Sequence, residues 1–275
     1  MEHKVAFYNG IQVSALGQGT WKMGQSAAHR EQEMRALRRG IDLGLNVIDT
    51  AEMYDNEEMV GKVIHDCRDE VFLVSKVLPS NASYCGTKLA CERSLQKLGT
   101  DTLDLYLLHW RGNHPYAETV RAMTELQQEG KIQMWGVSNM DVDDMERFYA
   151  IPNGRNCASN QVVYNLANRG VEYDLLPWSA ANKIPIMAYS PVGEGRLVRN
   201  RHLEEVAHRH DTTPAQIALA WTMRLPNVIA IPKAGSINHV EENHRSLSIH
   251  LTEEDLRDLD VLFPAPTRKV PLAGW

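Results

Sequence analysis

A repeated alternation of short apolar runs with longer amphipathic segments is the feature that most constrains the fold of this chain. The strongest runs, which are rich in β-branched and large apolar residues, are 46–48, 71–74, 103–108, 133–137, 185–188 and 228–231. Two weaker runs, near Ala15-Leu16 and over 158–162, bring the number of predicted strands to eight. Such runs predict strands that are covered on both faces, as in a parallel sheet built from βα units.

The segments between the runs predict helices. Met34, Leu37 and Ile41, for example, repeat at helical spacing. Beyond the eighth run, Thr252 and Asp255 resemble a capping box, in which two side chains satisfy backbone N–H groups at the start of a helix. We therefore expect crossover helices between the strands and one extra helix near the C-terminal end.

The remaining fold signals favour a (β/α)8 TIM barrel, in the α/β class, over an open Rossmann sheet. Gly17-Gln18-Gly19 lacks the third glycine of a dinucleotide-binding turn, because Lys22 stands in its place. Asn9-Gly10 lies between two short apolar segments and predicts the positive φ angles of a tight N-terminal β-hairpin. With no linker or repeat dividing the chain, we expect one barrel domain over residues 1–275.

Composition excludes several classes of protein. The 275 residues carry a formal net charge of -6 and no block of Lys or Arg, which argues against nucleic-acid binding. No apolar run reaches the roughly 18 residues of a membrane span, and residues 1–10 lack the apolar core of a signal peptide. The four cysteines and the histidines have no metal-ligand spacing. We expect a cytoplasmic monomer without metal, nucleic-acid or membrane partners.

Polar residues follow nearly every predicted strand. Because the carboxyl ends of barrel strands meet at one face, where the active sites of such barrels lie, we expect these residues to converge. A buried lone charge is costly, so the first carboxylate and the first ammonium should pair. The residues are Asp49, Lys76, His109, Ser138, Asn139, Gln161, Tyr189 and Lys233.

Tyr54 is the candidate general acid. It lies five residues beyond Asp49, and a phenol beside the Lys76 ammonium should have its pKa lowered from about 10. Each residue also has a structural interpretation: Asp49 as a helix cap, Lys76 as a solvated strand end, His109 as a core histidine and Tyr54 as a pocket wall. Four such residues in three successive units favour a functional site, although spacing alone does not choose the reaction.

Several motifs together resemble the aldo-keto reductase family over nearly the whole chain. They include the first-strand segment 17–21, the segment 46–54 with its Asp and Tyr, the lysine strand 74–76 and the histidine strand 105–110. Asp49, Tyr54, Lys76 and His109 thus fall on the positions of the family's catalytic tetrad. The resemblance implies a (β/α)8 barrel that reduces carbonyl compounds with a nicotinamide cofactor and needs no metal.

The resemblance also implies the role of each tetrad residue. NADPH binds first and its nicotinamide transfers hydride to the carbonyl carbon. Tyr54 then protonates the nascent alkoxide, and His109 orients the carbonyl oxygen. Lys76, held by Asp49, keeps the pKa of Tyr54 low, and such electrostatic placement lowers a barrier by several kcal/mol.

By the same resemblance, three groups of residues bind the cofactor. Ser138, Asn139 and Gln161 hold the carboxamide, and Tyr189, followed by Ser190 and Pro191, stacks on the nicotinamide. The adenosine-phosphate segment contributes Lys233, Ala234, Ser236, His239, Glu242 and Asn243. Ala234 and His239 stand where well-known members place a Ser and an Arg at the 2′-phosphate. NADPH is still favoured over NADH, because Lys233 remains as a cation and Ser236, Asn238 or a protonated His239 could assist it.

The substrate is expected to be a small carbonyl compound. Trp21, Met53 and Trp110 predict a small, apolar mouth, and Trp275 could fold over the opening or fray. The residues after Phe263 are too few for an extensive lid, so selection by shape should be weak. Within the family the chain looks most like bacterial reductases of methylglyoxal and other small aldehydes and 2-oxoaldehydes.

Two other functions remain open from the sequence. Some barrels of this family act as cofactor-sensing subunits with little turnover, although this chain has no long insertion or coiled coil for that role. A barrel hydrolase using Asp49 and His109 is the third possibility. The lack of further carboxylate or His ligands at the predicted strand ends counts against it.

Overall fold

Eight parallel strands pair side by side in chain order in the computed structural model, which describes residues 3–274. A separate antiparallel pair precedes them. The strands are β1 (Lys4–Ala6), β2 (Gln12–Ser14), β3 (Gln18–Gly19), β4 (Val47–Asp49), β5 (Phe72–Val77), β6 (Leu103–Leu108), β7 (Ile132–Ser138), β8 (Asn160–Val163), β9 (Ile186–Tyr189) and β10 (Val228–Ile231).

The first and last parallel strands meet and close the barrel. Leu16 forms a parallel bridge with Ala230, and the backbone N–H of Gly17 donates to the carbonyl of Ala230 at 2.8 Å. The N–H of Gly19 donates to the carbonyl of Pro232 at 3.0 Å. A Cβ on Gly19 would lie 2.8 Å from the Ile231 carbonyl oxygen, so glycine permits this close approach. The predicted (β/α)8 barrel is confirmed.

Helices follow the strands and cover the outside of the barrel. None of the helices within the described part of the chain is long and apolar enough to cross a membrane. The helices are α1 (Ala27–Asp42), α2 (Glu57–Ile64), α3 (Tyr84–Leu98), α4 (Tyr116–Gln128), α5 (Val142–Tyr149), α6 (Leu175–Ala181), α7 (Arg201–Arg209), α8 (Pro214–Thr222), α9 (Ile237–Arg245) and α10 (Glu253–Leu262).

The apolar side chains of the strands belong to two separate clusters, one inside the barrel and one between the strands and the helices. On β6, Leu105 and Leu107 pack inside the barrel, whereas Tyr106 and Leu108 pack between the strands and the helices. All four side chains are 2% exposed or less, which explains why the run reads as continuously apolar. The strands are therefore covered on both faces, as the sequence predicts.

The N-terminal hairpin packs against the barrel interior, but its turn differs from the prediction. Val5, Phe7 and Val13 join the inner cluster, and the rings of Phe7 and Phe72 stack with centroids 5.0 Å apart. Only Gly10 in the turn has a positive φ, of 85°. Its N–H donates to the Phe7 carbonyl at 3.0 Å, as in a type I turn followed by a bulge. The predicted β-hairpin is confirmed, but of the positive φ angles predicted for Asn9-Gly10 the one at Asn9 is wrong.

The extra C-terminal helix, α10, begins with the predicted capping box. The backbone N–H of Asp255 donates to the Thr252 hydroxyl at 3.1 Å, and the N–H of Thr252 donates to the Asp255 carboxylate at 2.9 Å. At the other end of the helix, the buried guanidinium of Arg169 donates to the Phe263 carbonyl and to Asp260. Arg169, in the segment after β8, thereby fixes the C-terminal end of α10.

Replacing Thr252 with Ala should lower the free energy of unfolding by about 1 kcal/mol, because the N–H of Asp255 loses its acceptor. Thr252→Ser keeps the hydroxyl and is the matched control. Urea unfolding of the three proteins measures the difference. Equal losses in the Ala and Ser variants would show that the methyl group, not the cap, carries the effect.

Candidate active site

The carboxyl ends of the strands surround one cavity of about 860 Å³. Lys76 is completely buried beneath it. Most of the predicted site residues line the cavity: Trp21, Asp49, Met53, Tyr54, His109, Trp110, Ser138, Asn139, Gln161, Tyr189, Ser190, Pro191 and Lys233. The structure thus brings together residues from six of the predicted strand ends and from the loops beyond them.

Lys76 is the centre of the hydrogen bonds at the barrel end. Its Nζ donates to Asp49 Oδ2 and to the Thr50 carbonyl, both at 2.8 Å, and to the Tyr54 hydroxyl at 3.2 Å. The ammonium has three protons, so all of its donors are used. Gln161 Nε2 donates to the other carboxylate oxygen of Asp49 at 2.7 Å. Both charges of the buried pair are therefore fully hydrogen-bonded.

The predicted lowering of the Tyr54 pKa is wrong in sign. Burial of the phenol raises the pKa above its ordinary value, and the Lys76 ammonium offsets only part of the rise. For Lys76, burial alone would lower the pKa, but the Asp49 carboxylate and Tyr54 outweigh it and leave the pKa raised. At neutral pH the site therefore holds a protonated phenol against a charged ammonium.

His109 is a neutral imidazole beside this phenol. Burial, with a smaller contribution from the Lys76 charge, lowers the pKa of His109 to about 2. The rings of Tyr54 and His109 meet edge to face with centroids 5.7 Å apart. Nδ1 is buried and has no hydrogen-bond partner within residues 3–274, so Nε2 is the ring nitrogen left for a ligand. The two side chains can therefore approach one oxygen atom of a bound molecule.

Two polar residues that the sequence analysis missed hold the turn that carries Tyr54. Glu52 accepts from the Leu78 backbone N–H at 2.6 Å. Asn56, which is 3% exposed, donates to the Thr20 carbonyl at 2.7 Å and accepts from the Thr50 hydroxyl at 2.8 Å. Their only sequence signal is their position on either side of Tyr54, because Leu78 and Thr20, which they bond, lie 26 and 36 residues away in the chain.

The residues predicted to hold the carboxamide form one hydrogen-bonded wall. Asn139 accepts from the Tyr189 hydroxyl at 2.8 Å and donates to the His109 carbonyl at 3.1 Å. The Ser138 hydroxyl donates to the Gln161 carbonyl at 2.8 Å. Asn139 and Ser190 have positive φ angles, of 58° and 51°. This wall is continuous with Asp49, because the Gln161 side-chain amide also bonds that carboxylate.

The residues of the predicted adenosine-phosphate segment are divided between the main cavity and a separate cleft. Lys233 lines the cavity, whereas Ala234 and Asn243 line a small separate cleft. Ser236 caps α9 by accepting from the His239 N–H, and the Glu242 carbonyl accepts from Gln216. Of this segment, the structure therefore places only Lys233 beside the tetrad cavity.

An ion pair at Lys233 was not predicted. Lys233 Nζ lies 3.2 Å from Glu33 Oε1, and the other Glu33 oxygen accepts from the Gly24 N–H at 2.8 Å. Glu33 lies on α1, 200 residues before Lys233 in the chain. The spacing of apolar residues along α1 gives no sign of this contact.

The mouth of the cavity is apolar and the C-terminal tail reaches it. Met53 and Trp110 are 47% and 37% exposed there. Leu272, Ala273 and Gly274 line the same cavity, so the tail, although short, forms part of its wall. Trp275 lies outside the described residues. No group of three or more His, Cys, Asp or Glu within residues 3–274 is arranged to hold a metal ion.

The sequence model of the aldo/keto reductase family matches residues 15–263. The chain belongs to this family. It is 48% identical to "Methylglyoxal reductase YeaE" of Escherichia coli strain K12, with 99% of each chain covered. It is 32% identical to "Glyoxal reductase" of Bacillus subtilis strain 168, over 95% of this chain and 93% of that protein.

A solved structure of an aldo/keto reductase extends the comparison. The enzyme from Klebsiella pneumoniae, in complex with NADP and acetate, is 50% identical, covers 99% of each chain and has a TM-score of 0.97. A second structure, of an enzyme from the same organism in complex with NADPH, has the same identity and TM-score and covers 100% of each chain. The protein is therefore an oxidoreductase with a (β/α)8 barrel.

Replacing Lys76 with Met should cost about 3 to 5 kcal/mol of unfolding free energy, because it leaves the Asp49 carboxylate buried without its counterion. The double variant Lys76→Met with Asp49→Asn removes both charges and should lose less than Lys76→Met alone. Urea unfolding of the singles and the double measures the coupling. Additive losses would mean that the pair contributes no interaction energy.

Proposed function

We propose that the protein catalyses the NADPH-dependent reduction of small aldehydes and 2-oxoaldehydes to alcohols, with Tyr54 as the general acid. The observation that carries the proposal is the buried Lys76 ammonium, which donates to both Asp49 and Tyr54 below a cavity that His109 lines. A phenol in this position is protonated at neutral pH and has a cation ready to stabilise its conjugate base.

The cavity suits a nicotinamide nucleotide. Asp49, Tyr54 and His109 line the same space as Lys233, so one extended molecule can reach both groups. The Gln161 amide N–H already bonds Asp49, which leaves its Oε1 to accept from a carboxamide. The Tyr189 ring, fixed through Asn139, offers a face for stacking. When bound, NADPH supplies the hydride, and the two Klebsiella pneumoniae relatives carry NADP or NADPH.

The protein's own residues supply the proton and the orientation. Tyr54 donates its proton to the carbonyl oxygen as negative charge develops there. The Lys76 ammonium, 3.2 Å from the phenol oxygen, stabilises the phenolate that remains. The neutral His109 donates a hydrogen bond from Nε2 to the same carbonyl oxygen and so fixes its direction. Asp49 keeps the ammonium in place throughout.

Small substrates fit the mouth of the cavity best. Trp21, Met53 and Trp110 give it an apolar edge, while His109 is the polar group that recognises the carbonyl. Relatives named as methylglyoxal and glyoxal reductases support 2-oxoaldehydes as the substrate class. We further propose that residues 1–275 act as one domain, as a monomer in the cytoplasm.

Replacing Tyr54 with Phe should reduce carbonyl-dependent NADPH oxidation by at least about 100-fold, because the proton donor is lost. NADPH binding, measured by thermal shift, should stay within about twofold of the wild type, because the ring is kept. Tyr84→Phe, which removes a hydroxyl bonded to Glu125 on the helical surface, is the matched control.

The assay uses methylglyoxal and a panel of other small aldehydes. Undiminished turnover in Tyr54→Phe would contradict the proposed acid. A wild-type protein that binds NADPH but oxidises it with no carbonyl compound would instead be a cofactor sensor. Turnover that does not depend on nicotinamide would indicate a hydrolase.

The reduction rate should be flat from about pH 6 to pH 9 and should fall only in more alkaline solution. Tyr54 must be protonated to act, and its raised pKa keeps it protonated until the pH rises through that value. His109, with its pKa lowered to about 2, stays neutral over the same range. Measuring kcat against pH checks both statements. A midpoint near the ordinary histidine value of about 6.5 would contradict the neutral His109.

A further inference from the structure

The contact between Glu33 and Lys233 joins α1 to the loop after β10. Glu33 Oε1 lies 3.2 Å from Lys233 Nζ, and the Glu33 side chain is 8% exposed. Its other oxygen accepts from the Gly24 N–H at 2.8 Å. The neighbouring residue, Gln32, donates to the Gly235 carbonyl at 3.0 Å. Two consecutive residues of α1 thus hold this loop in place.

The loop has a glycine where the ion pair needs space. A Cβ on Gly235 would lie 2.9 Å from Lys233 Nζ and 3.5 Å from Glu33 Oε1. The lysine therefore lies across Gly235 towards Glu33, while part of its side chain, 40% exposed, faces the cavity. Its ammonium is already paired before any ligand binds.

A phosphate that binds Lys233 must compete with this buried carboxylate. If the ammonium turns to the phosphate, Glu33 keeps the Gly24 N–H but loses its counterion, and a buried carboxylate without a counterion is costly. If the ammonium is shared, the carboxylate and the phosphate repel each other. Ala234 offers the phosphate no side-chain donor, so the competition is not offset there.

We propose that Glu33 determines nicotinamide nucleotide specificity, by holding Lys233 and thereby weakening the preference for NADPH over NADH. The inference rests on the proposed function, because it assumes that the NADPH 2′-phosphate reaches Lys233. NADH carries a hydroxyl at that position and does not compete for the lysine. Glu33 therefore lowers the affinity for NADPH and leaves the affinity for NADH unchanged.

The test measures binding rather than turnover. Glu33→Gln keeps the length of the side chain and an oxygen for the Gly24 N–H but removes the charge. Dissociation constants for NADPH and NADH are measured by tryptophan fluorescence quenching, and those for 2′,5′-ADP and 5′-AMP by competition. We expect NADPH and 2′,5′-ADP to bind about three- to tenfold more tightly to the variant, and NADH and 5′-AMP to change less than about twofold.

Glu241→Gln is the matched control. It removes one negative charge from α9, where Glu241 pairs with Arg39 at 2.8 Å, and has no contact with Lys233. It should change all four dissociation constants by less than about twofold. If Glu33→Gln does not fold, as judged by thermal unfolding, Glu33→Asp shortens the side chain and should produce a smaller change of the same sign.

Each outcome has a defined meaning. Weaker NADPH binding by Glu33→Gln would overturn the inference and indicate that Glu33 orients Lys233 for the phosphate. An equal gain for NADPH and NADH, or a gain also in Glu241→Gln, would overturn it as a general charge effect. A wild-type protein that binds neither NADPH nor NADH would overturn the proposed function itself. A wild-type protein that binds NADPH, with dissociation constants that do not change in Glu33→Gln, would overturn the inference about Glu33 but not the proposed function.

Discussion

The fully buried ammonium of Lys76 determines how the catalytic end of this barrel is arranged. A charge with no exposure to water must satisfy all of its donors inside the protein, and Lys76 does so with a carboxylate, a carbonyl and a phenol. Those partners fix the end of β4 and the turn that follows it. Through Asp49, the network also reaches Gln161 on the opposite side of the barrel. Strands far apart in sequence are thus fixed at distances that the chemistry requires.

The Lys76 ammonium acts mainly on the phenolate that proton transfer would leave on Tyr54, and less on the resting phenol. Burial raises the pKa of Tyr54, and the Lys76 ammonium limits the rise. In the proposed reaction, the phenol therefore stays protonated until a substrate oxygen develops negative charge, and the ammonium then stabilises the phenolate. His109, kept neutral by burial, can give the proposed hydrogen bond to the substrate without adding a second cation beside Lys76. A low resting pKa for Tyr54 is not needed for this sequence of events.

The sequence predicts the barrel and the tetrad because both follow from local patterns. Strands buried on both faces read as apolar runs, and the residues after them converge because parallel strands end at one face. Contacts between distant segments leave no such pattern: Asn56 bonds Thr20, 36 residues away, and Lys233 meets Glu33 on another helix. The sign of the Tyr54 pKa shift escaped prediction for a related reason, because it depends on a degree of burial that only the folded chain defines.

The buried base of the cavity at Lys76 and its outer rim at Lys233 and Met53 differ in how far their side chains are buried. Lys76 is not exposed at all and uses every donor, so a change there disturbs several strands. Lys233 is 40% exposed and Met53 is 47% exposed, and both lie on loops or turns beyond the strands. If Lys233 and Met53 contact the nucleotide and the substrate as proposed, substitutions at these outer positions alter which nucleotide or carbonyl compound binds while the buried network stays intact. Specificity can therefore diverge within such a barrel without loss of the proton-donating site, because the two properties depend on residues with few shared contacts.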